Sequence, residues 1–232
     1  MSNFETYQSF SQDNFDPNEI ANLTSSVIQF VVVLDVSPSI SSFYRDMNVA
    51  QSDIFMKELK GCHRKDDIMV KCITFCDKVV HKSGFMPILN LPDDYLQVTP
   101  QGTGTALYKA VKEAMSDVTS YRDELENQGI DVRTNIFIVT DGEDNEDNGS
   151  DLSSVNQMIS DLRKNEAWAQ SFTISMLGVG DDSSFRRSCT NMGLDPDKVL
   201  STIGTSASEI RKQMGVVSQS VSQSNVGSSV SF

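Results

Sequence analysis

Residues 27–34 are almost continuously apolar and lead directly into Asp35. A strand with one wet face alternates apolar and polar residues, whereas a strand covered on both faces does not. This run therefore predicts a central strand of a parallel sheet with helices on either side.

The rest of the chain supplies those layers in order. Phe43, Met47, Ala50, Ile54 and Leu59 recur at roughly helical spacing and give a first helix over residues 42–59, stopped by Gly61. Residues 68–75 read as a second strand, and Val79-Val80, just past the polar Asp77-Lys78, predicts a hairpin onto a short antiparallel strand. Residues 84–102 contain Pro87, Pro92, Pro100 and Gly102 and are expected to be irregular. Leu107, Val111, Ala114, Val118, Tyr121 and Leu125 mark the clearest helix, which Gly129 ends; residues 132–140 are the next strand. Val155, Ile159 and Leu162 form a further helical stripe, with Asp151 as its expected cap. Residues 172–177 read as a fifth strand, 183–192 as a short helix and 199–203 as a sixth strand. Ala207, Ile210, Met214 and Val217 line a terminal helix.

The predicted architecture is α/β and Rossmann-like: a doubly wound, mostly parallel six-stranded sheet with one antiparallel edge strand and helices on both faces. One domain, residues 27–217, is flanked by a polar N-terminal arm, residues 1–26, carrying Phe4, Tyr7, Phe10 and Phe15. A Ser/Gln-rich tail, residues 218–232, follows it.

The 32 acidic residues against 19 basic ones leave a net charge of -13. Such a field disfavours nucleic acid and anionic membranes as partners and concentrates divalent cations and basic protein surfaces. Solubility is the plain alternative explanation. No N-terminal segment joins basic residues to a continuous apolar stretch, and no apolar run approaches the roughly 20 residues of a membrane span. Cys62, Cys72, Cys76 and Cys189 lack zinc-site spacing and read as reduced thiols in or near the core, which fits a cytoplasmic location.

Three segments place oxygen atoms at strand ends or helix starts. Asp35-Val36-Ser37-Pro38-Ser39 offers one carboxylate and two hydroxyls where the first strand ends. Gln101-Gly102-Thr103-Gly104-Thr105 puts the Thr103 hydroxyl at the opening of the long helix, and Asp141 closes the strand that ends Ile138-Val139-Thr140. Carboxyl ends of strands are where open α/β sheets bind ligands. All-oxygen donors suit magnesium, with manganese or calcium as alternatives, and serve zinc or copper poorly. Each residue singly has an ordinary role as a cap or turn former.

This three-part pattern closely resembles the von Willebrand factor A domain and its metal-ion-dependent adhesion site, over residues 27–220. Asp35, Ser37 and Ser39 match the Asp-x-Ser-x-Ser element, Thr103 the isolated threonine, and Asp141 the later aspartate. Pro38 stands where the family often carries glycine. Within the family the chain looks most like small cytoplasmic bacterial and phage-borne members associated with tellurium and stress resistance. The resemblance implies a non-enzymatic protein-protein interaction module, in which a magnesium ion held by these five residues takes a Glu or Asp from a protein partner, within a multi-protein assembly.

The alternative is a magnesium-dependent phosphohydrolase or nucleotide-acting enzyme in the same crevice. A dehalogenase-like phosphatase would need a second aspartate where Ser37 stands. Gly102-x-Gly104 lacks the lysine of a phosphate-binding loop. His63 and His81 lie away from the Asp35 loop, where a surface position is expected. The acidic residues 143–151 read as a solvated rim, with a second cation site as the competing reading.

Overall fold

The computed structural model describes residues 11–180, 182–204 and 206–222. Phe4, Tyr7 and Phe10 of the arm, and most of the tail, lie outside the described residues.

Helix α1 (Pro17–Ala21) precedes strand β1 (Ser26–Asp35). A 3-10 turn, Pro38–Ser42, leads into α2 (Tyr44–Ala50), a π turn (Gln51–Met56) and α3 (Lys57–Gly61). Strands β2 (Ile68–Phe75), β3 (Val79–His81) and β4 (Met86–Pro87) come next, then α4 (Leu107–Asn127) and β5 (Asp131–Thr140). The chain continues through α5 (Ser150–Lys164), α6 (Glu166–Ala169), β6 (Phe172–Val179), α7 (Asp182–Asn191), α8 (Pro196–Val199), β7 (Leu200–Ile203) and α9 (Ala207–Ser222).

The sheet runs β3-β2-β1-β5-β6-β7, parallel from β2 to β7, with β3 antiparallel at one edge. This is the predicted architecture. One addition falls in the segment expected to be irregular: β4 pairs antiparallel with β2 at Met69 and Val70, beyond the β3 pairing at residues 73–75. The two are one edge strand interrupted at residues 82–85.

Strand β1 is buried on both faces, as its composition requires. Val27, Val31 and Val33 join the core under α4, α5 and α7, while Ile28, Phe30, Val32 and Leu34 join the core under the α2–α3 segment and α9. Gln29 is also fully buried; its amide donates to Val118 O at 3.3 Å and its Oε1 accepts from Thr134 Oγ1 at 2.7 Å. A second buried polar group, Lys71 of β2, reaches Asp117 at 2.7 Å. An unpaired ammonium there would cost several kcal/mol, so the partner on α4 is a condition of the fold.

Four local expectations are corrected. The first helix is not one regular stripe: the π turn brings Phe55 and Met56 inward and leaves Ile54 half-exposed. The gain is aromatic packing, with the Phe55 ring 5.1 Å from Phe30 and 6.1 Å from Phe137. His81 is not a surface residue. Its Nε2 meets Glu113 at 2.7 Å and its Nδ1 meets Asp117 at 3.1 Å, and these hydrogen bonds, Asp117 first, hold its pKa above the ordinary value despite burial. Asp151 does not cap α5; the Asp147 carboxylate accepts the amides of Asp151 and Leu152, and Asp151 pairs with Lys112. The terminal helix continues to Ser222, because Ser218 and Val221 are still buried.

The four cysteines are free thiols, three buried and Cys62 half-buried, and burial pushes Cys72 and Cys189 up to about 11. Among the described residues no helix is long and apolar enough to cross a membrane.

Candidate metal centre

Strand β1 lies between β2 and β5, so consecutive connections leave its carboxyl end in opposite directions and a crevice opens there. Three loops border it. The one after β1 receives Val36 N on Phe75 O at 2.8 Å and offers Val36 O to Gln101 N at 2.7 Å. The loop before α4 is tied to the loop after β5 by Thr105 N on Asn145 Oδ1 at 2.8 Å and Asn145 N on Thr105 O at 3.0 Å. Gly102 adopts φ +74°, and a Cβ there would stand 2.2 Å from Asp77 Oδ1 and 2.4 Å from Cys76 Sγ. Only glycine lets this loop lie against the β2–β3 turn.

Four of the five sequence-predicted residues form one hydrogen-bonded chain. Asp35, 1% exposed, accepts Ser37 N on Oδ1 at 2.8 Å. Ser37 Oγ is 2.9 Å from Ser39 Oγ, and Ser39 Oγ donates to Asp141 Oδ1 at 2.8 Å. Asp35 and Ser37 are buried, Asp141 is half-buried and Ser39 is exposed, so the chain leads from the core to solvent. Pro38 opens the 3-10 turn that presents both serines.

Thr103 is not part of that chain. It is exposed, and its amide donates to Asp77 Oδ1 at 3.0 Å. Among the described residues its hydroxyl has no hydrogen-bond partner.

Two contributors escaped the sequence reading. Thr140 Oγ1, buried, donates to Asp35 Oδ2 at 2.7 Å, so the inner acid is held on both oxygens. Its position beside Asp141 at a strand end was the available signal. Asp77, which anchors the Thr103 loop, sits in a hairpin turn where an aspartate is unremarkable by composition.

The electrostatics are unusual for a pair of carboxylates. Among the described residues neither Asp35 nor Asp141 has a lysine, arginine or histidine within ion-pair distance. Burial pushes Asp35 up against the hydrogen bonds from Ser37 and Thr140 that pull it down. Burial pushes Asp141 up to about 6, opposed by the Ser39 hydrogen bond and reinforced by the Asp35 charge. Two acids sharing a crevice without a counter-ion, beside hydroxyls, fit a hard divalent cation.

The acidic loop behaves differently. Asp144 Oδ2 accepts Tyr108 N at 2.8 Å and its Oδ1 accepts Glu146 N and Asp147 N at 3.0 and 2.7 Å. Glu143 pairs with Arg187 at 3.1 Å. Much of this rim is thus committed to ordering its own loop. Among the described residues no cluster of three or more His, Cys, Asp or Glu side chains is arranged to hold a metal.

The fold can be compared with known structures. Proximal thread matrix protein 1 of the mussel byssus superposes with a TM-score of 0.61 at 20% identity, over 85% of this chain and 47% of its own length. The von Willebrand factor type A protein from Catenulispora acidiphila gives 0.59 at 13% identity, over 88% of this chain and 44% of that one. BatB from Bacteroides thetaiotaomicron gives 0.56 at 16% identity, over 83% and 98%. The fold is that of the von Willebrand factor A domain. The chain spans about half the length of the mussel and Catenulispora proteins. The mussel protein has also been solved with zinc in its metal-ion-dependent adhesion site. No family model matches this sequence, and no curated protein does.

Proposed function

We propose that this chain is a non-enzymatic protein-interaction module. Asp35, Ser37, Ser39, Thr103 and Asp141 hold a divalent cation, magnesium in the first instance, and the cation takes a Glu or Asp side chain from a protein partner. The observation that carries this reading is the pair of sheltered carboxylates, Asp35 and Asp141, aligned by two serine hydroxyls and lacking a cationic side chain. Bound there, the ion neutralises the two acids and offers a Lewis-acidic coordination position to an incoming carboxylate. Asp35 and Asp141 bring the charge, and Ser37, Ser39 and Thr103 bring neutral oxygens. Thr140 orients Asp35, leaving one acid fixed and the other free to adjust.

The resemblance to tellurium- and stress-resistance members supports a cytoplasmic setting within a multi-protein assembly. No observation favours the phosphohydrolase alternative: His63 is exposed just before β2, at the end of the sheet away from Asp35, and His81 is held by two carboxylates.

Isothermal titration is the test of the site. Magnesium should bind the wild type saturably and bind Asp35→Ala and Ser37→Ala at least about tenfold more weakly, both variants keeping the wild-type circular dichroism spectrum. Equal affinity in all three proteins would remove the assignment. For the partner, capture from the native host should be released by EDTA and survive a rise in ionic strength, since coordination is screened far less than surface charge.

A further inference from the structure

At the opposite end of β1 from Asp35, a cavity of about 420 Å³ opens at the amino ends of β1 and β5. Its charged lining consists of Arg64, Arg122 and Arg133 with Glu126 and Asp131. Three guanidiniums in one cavity stand out in a chain with 32 acidic and 19 basic residues.

The acids do not saturate Arg122 and Arg133. Glu126 is engaged by Arg122 Nε at 2.7 Å, while Arg122 Nη2 donates to Ser171 Oγ at 2.8 Å and its guanidinium lies 5.0 Å over the Trp168 ring. Arg64 Nε is held by Asp67 at 3.0 Å and its Nη2 reaches Ser26 Oγ at 3.0 Å. Arg133, on β5, is partly buried and, among the described residues, its side chain makes no hydrogen bond or ion pair. Burial, and then the neighbouring Arg64 charge, pull its pKa below the usual arginine range. Strand pairing fixes its backbone opposite Ile28, at the mouth of the cavity beside Arg64.

We propose that this cavity is a binding site for a phosphorylated small molecule, its phosphoryl group held by Arg133 with Arg64 and Arg122 and its organic part resting on Val27, Ile130 and Val132. The guanidinium fork matches phosphate oxygens in pairs. Arg133 is uncompensated and faces a second positive charge, so a group carrying nearly two negative charges relieves more repulsion than a carboxylate. The volume is in the range of small-molecule sites and exceeds what a bare phosphate needs.

The probes are phenyl phosphate, inorganic phosphate and benzoate, titrated into the full chain in EDTA so that no metal-bound phosphate contributes. We expect saturable binding of phenyl phosphate, weaker binding of phosphate and at least about tenfold weaker binding of benzoate. Arg133→Gln should weaken phenyl phosphate by about tenfold or more, the scale of a lost charge-assisted hydrogen bond, with an unchanged circular dichroism spectrum. Arg122→Lys, which keeps the charge and loses the fork, serves as a second variant whose folding is less at risk than that of a neutral one, and it should also bind more weakly. Absence of saturation, wild-type affinity in both variants, or benzoate binding as tightly as phenyl phosphate would each overturn the proposal.

Discussion

Asp35 and Asp141, the two acids of the proposed metal centre, are held unequally: one is fixed and the other adjustable. Ser37 N and Thr140 Oγ1 occupy both oxygens of Asp35, whereas Asp141 receives one hydrogen bond from the exposed Ser39. Asp141 is therefore the residue whose titration should be visible. Its folded pKa of about 6 lies above the ordinary aspartate value, so between about pH 4 and 6 the folded state binds more protons than the unfolded one. Stability of the metal-free protein then falls as pH rises through that window. We expect Asp141→Asn without metal to melt above the wild type at pH 7.5, with a smaller difference at pH 4.5. Equal differences at the two pH values would mean that Asp141 carries no such penalty. Magnesium affinity of the wild type should fall as pH drops through 6, because protons and metal compete for the same oxygens. The meeting of Asp35, Ser37, Ser39 and Asp141 was legible in the sequence because each sits at a loop boundary that a buried strand announces. Thr140 was not singled out, since a threonine ending a β strand looks like a propensity choice until its hydroxyl is seen to face Asp35.

The N-terminal segment shows how a polar stretch becomes part of an element. Gly84 N donates to Ser11 O, Phe15 N to Phe85 O and Tyr121 Oη to Phe15 O, at 2.9, 2.9 and 2.8 Å, and Ile20 of α1 is buried in the core. A Cβ on Gly84 would stand 2.2 Å from Asp13 O and 2.3 Å from Asp13 C. Gly84→Ala should therefore lift residues 11–16 from the sheet, lower stability by about 1–3 kcal/mol and expose the segment to limited proteolysis. Wild-type protection with an unchanged melting temperature would show that the segment has room to adjust. Strands β1, β2, β5 and β6 and helix α4 were legible from periodicity because their burial is decided by the whole element. The π turn and β4 were not. Phe55 turns inward to reach Phe30 and Phe137, which lie far away in sequence, and β4 forms where the chain returns to β2 after Gly84 and Phe85 have turned their amides to the N-terminal segment. His81 was misplaced for the same reason: its partners Glu113 and Asp117 come from α4, and nothing local to residues 79–83 indicates them.

For the molecule as a whole, ligands at the two ends of the sheet should act independently. The ten residues of β1 separate the Asp35 crevice from the arginine-lined cavity by about 30 Å, well beyond the distance at which substitutions usually couple. At a hundred times its dissociation constant magnesium should stabilise the fold by about 2.7 kcal/mol, or about 5–10 °C in melting temperature for a domain of this size. We expect that increment to vanish in Asp35→Ala and to persist in full in Arg133→Gln; loss of it in the second variant would reveal coupling through the sheet. The interrupted edge has a consequence of its own. A foreign strand docks on a long, straight row of open amides and carbonyls, but β3 offers three residues, β4 two, and residues 11–15 cross the gap between them; on the far side β7 is only four residues long. Among the described residues no long open edge is left along which two copies could zip together, so edge-to-edge pairing is blunted at both sides of the sheet.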